Sequence, residues 1–319
     1  CRIGRRTGTA QVAIMDHALS AARVHVEGRS CPVAFDRLTK DGVHDALLSA
    51  IPWCATHLRP DFKDALARAC KAERAPRART ILSQMLENAR IGETSAVPIC
   101  QDTGTVWVRL EVGESEMVPG DVFCRVDEAV ARAYDEAHLR KSVLFDALSD
   151  RTNTGSNTPA FCEMAFRPGT GATLTVMLKG GGSDNASRVV MLAPGAGIEG
   201  VKAAVLDRVV EKATCACPPL LIGVGVGATF DKVAGLAKHA LLRETGMPSS
   251  DPTASRLEQE LLRAVNATGI GPAGLGGDTT ALAVHVDTAP CHIAALPVAI
   301  QMGCSSVRSL SMTLVQKGV

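Results

Sequence analysis

The chain has 319 residues and a mass of 33.3 kDa, enough to bury a full core as one two-lobed body or as two domains. A net charge of +1 excludes the broad basic footprint of a nucleic-acid or membrane-surface binder, and 3% aromatic residues are too few for a base-stacking platform. No apolar run is long enough to predict a membrane-crossing helix.

Eleven cysteines, scattered and odd in number, do not resemble the dense disulfide framework of a small secreted domain. Residues 1–30 carry Arg, Asp, His and Glu without a clean apolar stretch, so no secretory signal is read there. The expected setting is reducing and cytoplasmic, with Cys70, Cys124 and Cys162 acting as small apolar fillers.

Residues 1–40 match no single element and are read as an N-terminal extension, with a catalytic domain over 41–319. From Pro60, the apolar positions Phe62, Ala65, Leu66, Ala69 and Cys70 predict a helix, with Asp61 near its start. Pro76 interrupts, and Ile81, Leu82, Met85, Leu86 and Ala89 predict a second helix. Alternation of Val106, Val108, Leu110 and Val112 predicts a half-buried strand. A helix over 121–138 follows, then strands over 160–167 and 173–178.

A helix over 199–212 leads into an apolar strand from Leu220 to Val224. Further helices are expected over 230–245, with Thr229 as N-cap and Gly246 as stop, and over 252–267, with Pro252 at its start. Strands over 281–286 and 294–300 complete the set. The interleaving gives a mixed α/β (α+β) class, a two-lobed unit of mixed sheets flanked by helices.

The loops carry the chemistry. Cys100, Cys217 and Cys304 sit far apart in the chain, each against a loop-forming signature: PICQDTG, CACPPLLIGVGVGAT and QMGCSSVRS. Three thiolates converging from distant loops can hold an iron–sulfur cluster and leave one metal position open for Lewis-acid chemistry. In CQDTG, Gly104 permits a tight turn; Asp102 either caps its own backbone or serves a ligand. RTNTGSNTP (151–159) and KGGGSDN (179–185) offer Asn side chains, Lys179 and closely approachable glycine backbone, in either a ligand loop or a glycine hairpin. GVGVGA (223–228) satisfies G-x-G-x-x-A, but no second strand with an acidic end follows; Glu244 falls in the predicted helix, so close packing explains these glycines better than a dinucleotide. His292 precedes an apolar strand that leads into Cys304, and is either a core or cap residue or part of a site.

With these loops taken together, the chain resembles the α subunit of class I iron–sulfur fumarate hydratases, a family related to tartrate dehydratase α subunits. PICQDTG, LRKSV, NTGSNTP, KGGGSDN, CPPLLIGVGVG, GIGPAGLGG and HIAALPVAIQMGC occur in family order over about residues 60–308. Any one would be weak; seven in register are specific. KGGGSDN looks closer to the fumarases than to the tartrate dehydratases. The resemblance implies a [4Fe-4S] cluster with one iron open to substrate, held by Cys100, Cys217 and Cys304, with Cys215 a near neighbour disfavoured by the CPP context. It implies dicarboxylate contacts from Gln101, Asp102, Arg140 and the backbone near Gly182, and places His292 near the active site. Reversible hydration of fumarate to (S)-malate, a tricarboxylic-acid-cycle step, is the expected reaction, with Asp102 and His292 as candidates for proton handling. Single-chain members continue into a further domain beyond the last cysteine, so a separate β subunit is expected to complete the enzyme and to supply the C3 base (a Thr there), within a homo- or hetero-oligomer.

Competing expectations remain. The same fold could serve tartrate or mesaconate-type dicarboxylates. Cys215, Cys217, Cys291 and His292 could instead form a structural zinc site, although C-x-C and C-H pairs lack the usual spacing. An electron-transfer iron–sulfur module would need a fourth cysteine ligand and no substrate loops.

Overall fold

A computed structural model of the protein describes residues 38–314; the expected extension over 1–40 lies almost wholly outside the described residues. In chain order the elements are α1 (Lys40–Thr56), α2 (Pro60–Ala72), α3 (Pro76–Ser95), β1 (Thr105–Gly113), α4 (Val126–Glu136), β2 (Phe161–Arg167), β3 (Ala172–Lys179), α5 (Gly181–Asn185) and β4 (Arg188–Leu192). There follow α6 (Gly197–Lys212), β5 (Leu220–Ala228), α7 (Phe230–Ala240), α8 (Pro252–Ala267), β6 (Ala281–Cys291), β7 (Leu296–Gly303) and β8 (Ser309–Leu314). The class is mixed α/β. Two compact units divide the chain, one taking the described residues up to Trp53, Val106–Met177 and those from Leu310, the other Cys54–Thr105 and Leu178–Ser309.

The first unit is built on a four-stranded sheet in the order β2-β1-β3-β8, with β1 and β2 parallel and Trp107 opposite Phe161. The alternation read along β1 holds in part: Val106, Val108, Leu110 and Val112 are fully buried, but Trp107 on the other face is buried as well. Helix α4 buries Val126, Ala129, Val130, Ala133 and Tyr134 at helical spacing. It is shorter than the expected 121–138 because Pro119 and Gly120 lead into turns that run to Arg125.

The second unit carries the chemical loops. Its sheet runs β4-β7-β5-β6, with β5 parallel to β6 and antiparallel to β7, and β7 antiparallel to β4. Leu220, Ile222 and Val224 of β5 join one core with Val201, Val205 and Val209 of α6 and Leu257, Leu261 and Val265 of α8. The intervening positions, Gly223 and Gly225, face α7. A Cβ on Gly223 would lie 2.2 Å from the Ala237 carbonyl oxygen, and one on Gly225 2.6 Å from that of Val233. The G-x-G pattern therefore lets a helix lie directly on a strand, the packing reading given to it.

Four elements were not read from the sequence: α1, α5, β4 and β8. Helix α1 buries Val43, Ala46, Leu47, Ala50, Ile51 and Cys54 at helical spacing, but Pro52 sits inside it. Strands β4 and β8 span only 5 and 6 residues. Helix α7 ends five residues before the expected position. The guanidinium of Arg59 donates to the carbonyls of Leu241 (2.7 Å) and Arg243 (3.0 Å), a tertiary partner for groups a continuing helix would have used. Thr229 is the N-cap residue of α7, as expected, but its side chain makes no capping bond; its hydroxyl donates to Asp231 at 2.6 Å. Asp251, by contrast, caps α8, accepting from Thr253 N at 2.9 Å.

Two predictions follow from the β5–α7–β6 packing. Gly223→Ala should destabilise the chain by about 1–3 kcal/mol through overpacking, read as a lower urea midpoint at unchanged slope. His285 on β6 is buried, with Nδ1 on the Ala240 carbonyl at 3.0 Å and Nε2 without a hydrogen-bond partner among the described residues. Burial, aided by the Arg243 charge, pushes it down to about 4. As pH falls from about 6.5, the unfolded chain takes up this proton before the folded one does. Stability should therefore drop between about pH 6.5 and 4, by on the order of 3 kcal/mol. Urea titrations of His285→Gln should lack that component of the slope.

Candidate functional site

The register of β5 and β7 decides where two of the three cysteines meet. Leu221 pairs with Gly303, so the residue run before β5 and the run after β7 emerge at the same sheet edge. Cys217 and Cys304 lie on those runs, and Ser305 N donates to the Cys217 carbonyl at 2.9 Å. Cys217 adopts a left-handed conformation (φ 53°) ahead of Pro218, whose carbonyl accepts from Ala273 N at 2.8 Å. Cys100 arrives on the loop after α3, held by Ile99 N on the Ala55 carbonyl at 2.9 Å. The Cys217 thiol is raised above its ordinary value by burial first, then by the negative fields of Cys304, Cys100 and Cys215. The sulfur atoms of all three loops thus share one electrostatic neighbourhood.

Asp102 joins the Cys100 loop to the glycine loop. Its Oδ1 accepts from Gly104 N at 3.0 Å and its Oδ2 from Gly181 N at 2.8 Å. Both readings of Asp102 are therefore compatible with one geometry: it caps its own turn, and the same bonds fix the carboxylate beside the thiols. Gln101 is exposed, its Oε1 accepting weakly from Cys100 Sγ at 3.6 Å. KGGGSDN is not a hairpin; its glycines enter the short helix α5. Gly182 approaches the Cys215 carbonyl so closely that a Cβ would stand 3.0 Å from it. Gly104, at φ +80°, lies on the Lys179 backbone, where a Cβ would come within 2.7 Å of the carbonyl.

Lys179 is buried beneath these loops. Its Nζ donates to Ser183 Oγ and to the Met302 carbonyl, both at 2.7 Å. Burial pushes it down to about 8, while the negative charges of Asp184 and Cys304 pull it upward. Arg308, equally hidden, was not singled out from the sequence. Only its place four residues after Cys304 could have drawn notice.

Arg140 belongs to the first unit, on an exposed loop after α4. The NTGSNTP segment orders that loop: Asn153 Nδ2 donates to the Lys141 carbonyl and Asn157 Oδ1 accepts from Ser142 N, both at 2.8 Å.

His292 is not brought to the thiol edge. It lies in the turn before β7, whereas Cys304 follows the end of that strand, so roughly 23 Å of extended chain separates them. There the exposed imidazole accepts from Ala294 N at 3.1 Å and lines an open pocket of about 370 Å³ with Ala228, Thr229, Lys232, Pro290 and Cys291. Proximity in sequence to Cys304 does not bring the two together within one chain, because β7 carries the chain across the sheet between them. Cys124 and Cys162, expected as fillers, are exposed; among the described residues Cys54 is the buried thiol, pushed up to about 12 by desolvation.

Among the described residues no group of three or more His, Cys, Asp or Glu side chains is close enough to bind a single metal ion. This counts against the zinc arrangement of Cys215, Cys217, Cys291 and His292. A cluster makes a different demand, since each thiolate takes its own iron and the sulfurs need not crowd one centre. The negative fields of Cys304 and Cys100 at Cys217 suit a polynuclear cation, so the donor set fits the cluster implied by the resemblance.

A family model described as Fumarate hydratase (Fumerase) matches residues 44–313. The putative L(+)-tartrate dehydratase subunit alpha of Methanocaldococcus jannaschii is 37% identical over 270 residues, covering 82% of this chain and 94% of that protein. The L(+)-tartrate dehydratase subunits alpha of Escherichia coli and Shigella sonnei are each 32% identical over 252 residues, covering 78% of this chain and 83% of theirs.

Cys217→Ser and Cys215→Ser separate the two neighbouring thiols. The first should abolish iron retention after anaerobic reconstitution and the second should leave most of it, measured as iron per chain; the reverse pattern would reassign the ligand.

Proposed function

The chain belongs to the fumarate hydratase family, and on that premise we propose that it is the cluster-bearing α subunit of a hydro-lyase interconverting fumarate and (S)-malate. The supporting observation is the gathering of the Cys100, Cys217 and Cys304 loops around Asp102 and the glycine loop. Cys100, Cys217 and Cys304 would hold the cluster. When bound, it supplies a Lewis-acidic iron free of protein ligands, which eases departure of the C2 hydroxyl.

The chain's own part is orientation and proton transfer. Dehydration of malate removes a proton from C3 and hydroxide from C2, and hydration reverses both. Asp102, fixed by two backbone N–H groups, is positioned to pass a proton to or from the departing or entering water. Gln101 and the backbone near Gly182 are proposed to contact the dicarboxylate. Arg140 is proposed as a bidentate grip on one carboxylate, a geometry a lysine does not reproduce. The C3 base is assigned to a partner β subunit, in keeping with the relatives being named alpha subunits. His292, at the far edge of the sheet, is given no step at the thiol edge of its own chain.

A second reading keeps the fold and changes the substrate: the relatives carry the name L(+)-tartrate dehydratase. Steady-state assays of the anaerobically reconstituted chain with its partner subunit discriminate the two. The proposed function requires a larger kcat/KM for fumarate and (S)-malate than for L-tartrate or mesaconate; a preference for L-tartrate would establish the second reading. Arg140→Lys should lower malate kcat/KM by at least tenfold at unchanged iron content, and unaltered kinetics would remove the carboxylate grip.

A further inference from the structure

Two buried cations lie beneath the thiol-bearing loops, and the proposed chemistry uses neither. Lys179 is 5% exposed and Arg308 2%. The two hydrogen bonds of Lys179 go to neutral oxygens, and Asp184 stands 3.7 Å from its Nζ with a side chain 54% exposed. Arg308 is less well matched. Its Nε and Nη1 are buried without a hydrogen-bond partner among the described residues. Its Nη2 stands beside Gly180, where a Cβ would lie 3.6 Å from Nη2 and 3.1 Å from Asp102 Oδ2. The thiol of Cys54 feels the Arg308 charge, but burial keeps that thiol neutral and unable to act as a counter-ion.

An uncompensated buried charge is strongly destabilising, and two that repel one another are worse. The fields of Cys304 and Arg308 both reach Lys179. Lys179 also touches the loops mechanically: its backbone packs on Gly104 of the Cys100 loop, and its ammonium holds the Met302 carbonyl two residues before Cys304. The nearest carboxylates are the exposed Asp184 and the half-buried Asp102, the latter already bonded to two backbone N–H groups; Cys304, whose charge also reaches Lys179, adds to them together with whatever the three thiolates ligate.

We infer that Lys179 and Arg308 form a buried cationic floor whose counter-charge is the thiolate-ligated iron–sulfur cluster, and that the pair sets the cluster's reduction potential. The inference rests on reading Cys100, Cys217 and Cys304 as cluster ligands. Both are positioning residues, acting through Cys304 and through the field. Adding one electron to the cluster adds one negative charge, and fixed cations in a low-dielectric interior favour that reduced state.

The test is an anaerobic, EPR-monitored dithionite titration of the cluster-loaded full chain, with iron per chain measured alongside. Arg308→Met and Lys179→Met should each lower the equilibrium constant for reduction at least tenfold, a shift of 59 mV to more negative potential for a one-electron couple. Arg308→Lys, which keeps the charge, should stay within twofold of the wild type. A purely structural role would not follow charge in this way. Since the titration reads only cluster-bearing chains, a variant that loads poorly still reports its potential. A Met variant with the wild-type potential overturns the inference alone. A wild-type chain that binds no iron overturns it together with the cluster reading.

Discussion

The antiparallel pairing of β5 with β7 is the constraint from which the candidate site follows. With Leu221 opposite Gly303, the chain leaves β7 beside the point at which it enters β5. Cys304 and Cys217 then meet without any direct bond between their side chains, and Ser305 N on the Cys217 carbonyl fixes their loops together. A slip of one residue would reverse which side chains face α6 and α8. Because Ile222 and Val224 are committed to that core while Gly223 and Gly225 admit α7, the register is strongly specified. Core packing and thiol convergence are thus consequences of one alignment.

Polar contacts extend that edge into a site. Asp102 bonds its own loop and the glycine loop with separate oxygens, so carboxylate placement and loop closure are the same event. Lys179 works from below, with Gly104 against its backbone and Met302 on its ammonium. Glycine is required where these strands of chain touch: at Gly104 a side chain would collide with Lys179, and at Gly182 it would press on Cys215. Such a site is assembled from local turns that hold one another, which gives the ligand atoms little freedom before any ligand binds.

Much of this was legible in the sequence where a residue pattern reports its own surroundings. Helices α2 and α3 follow from apolar spacing and α8 from Pro252 at its start, and the loop motifs marked Cys100, Cys217 and Cys304. The pattern failed where tertiary contacts decide. Helix α7 stops early because Arg59, far away in the chain, occupies the carbonyls after it. His292 looked close to Cys304 by residue count, yet β7 carries the two to opposite edges. Arg308 could not be distinguished from a surface arginine, since burial of its Nε and Nη1 without a hydrogen bond among the described residues is invisible to composition or periodicity. Short β4 and β8 give too few residues for alternation to stand out.

The central claim is that three thiolates from three loops hold a cluster with one iron left to the organic acid. Mössbauer spectroscopy of the ⁵⁷Fe-reconstituted chain, recorded under anaerobic conditions with and without (S)-malate, tests it most directly. The account predicts one iron site distinct from the others, with its parameters moved by malate while the rest stay fixed. Absence of bound iron, or a set of irons that malate leaves unchanged, would contradict it.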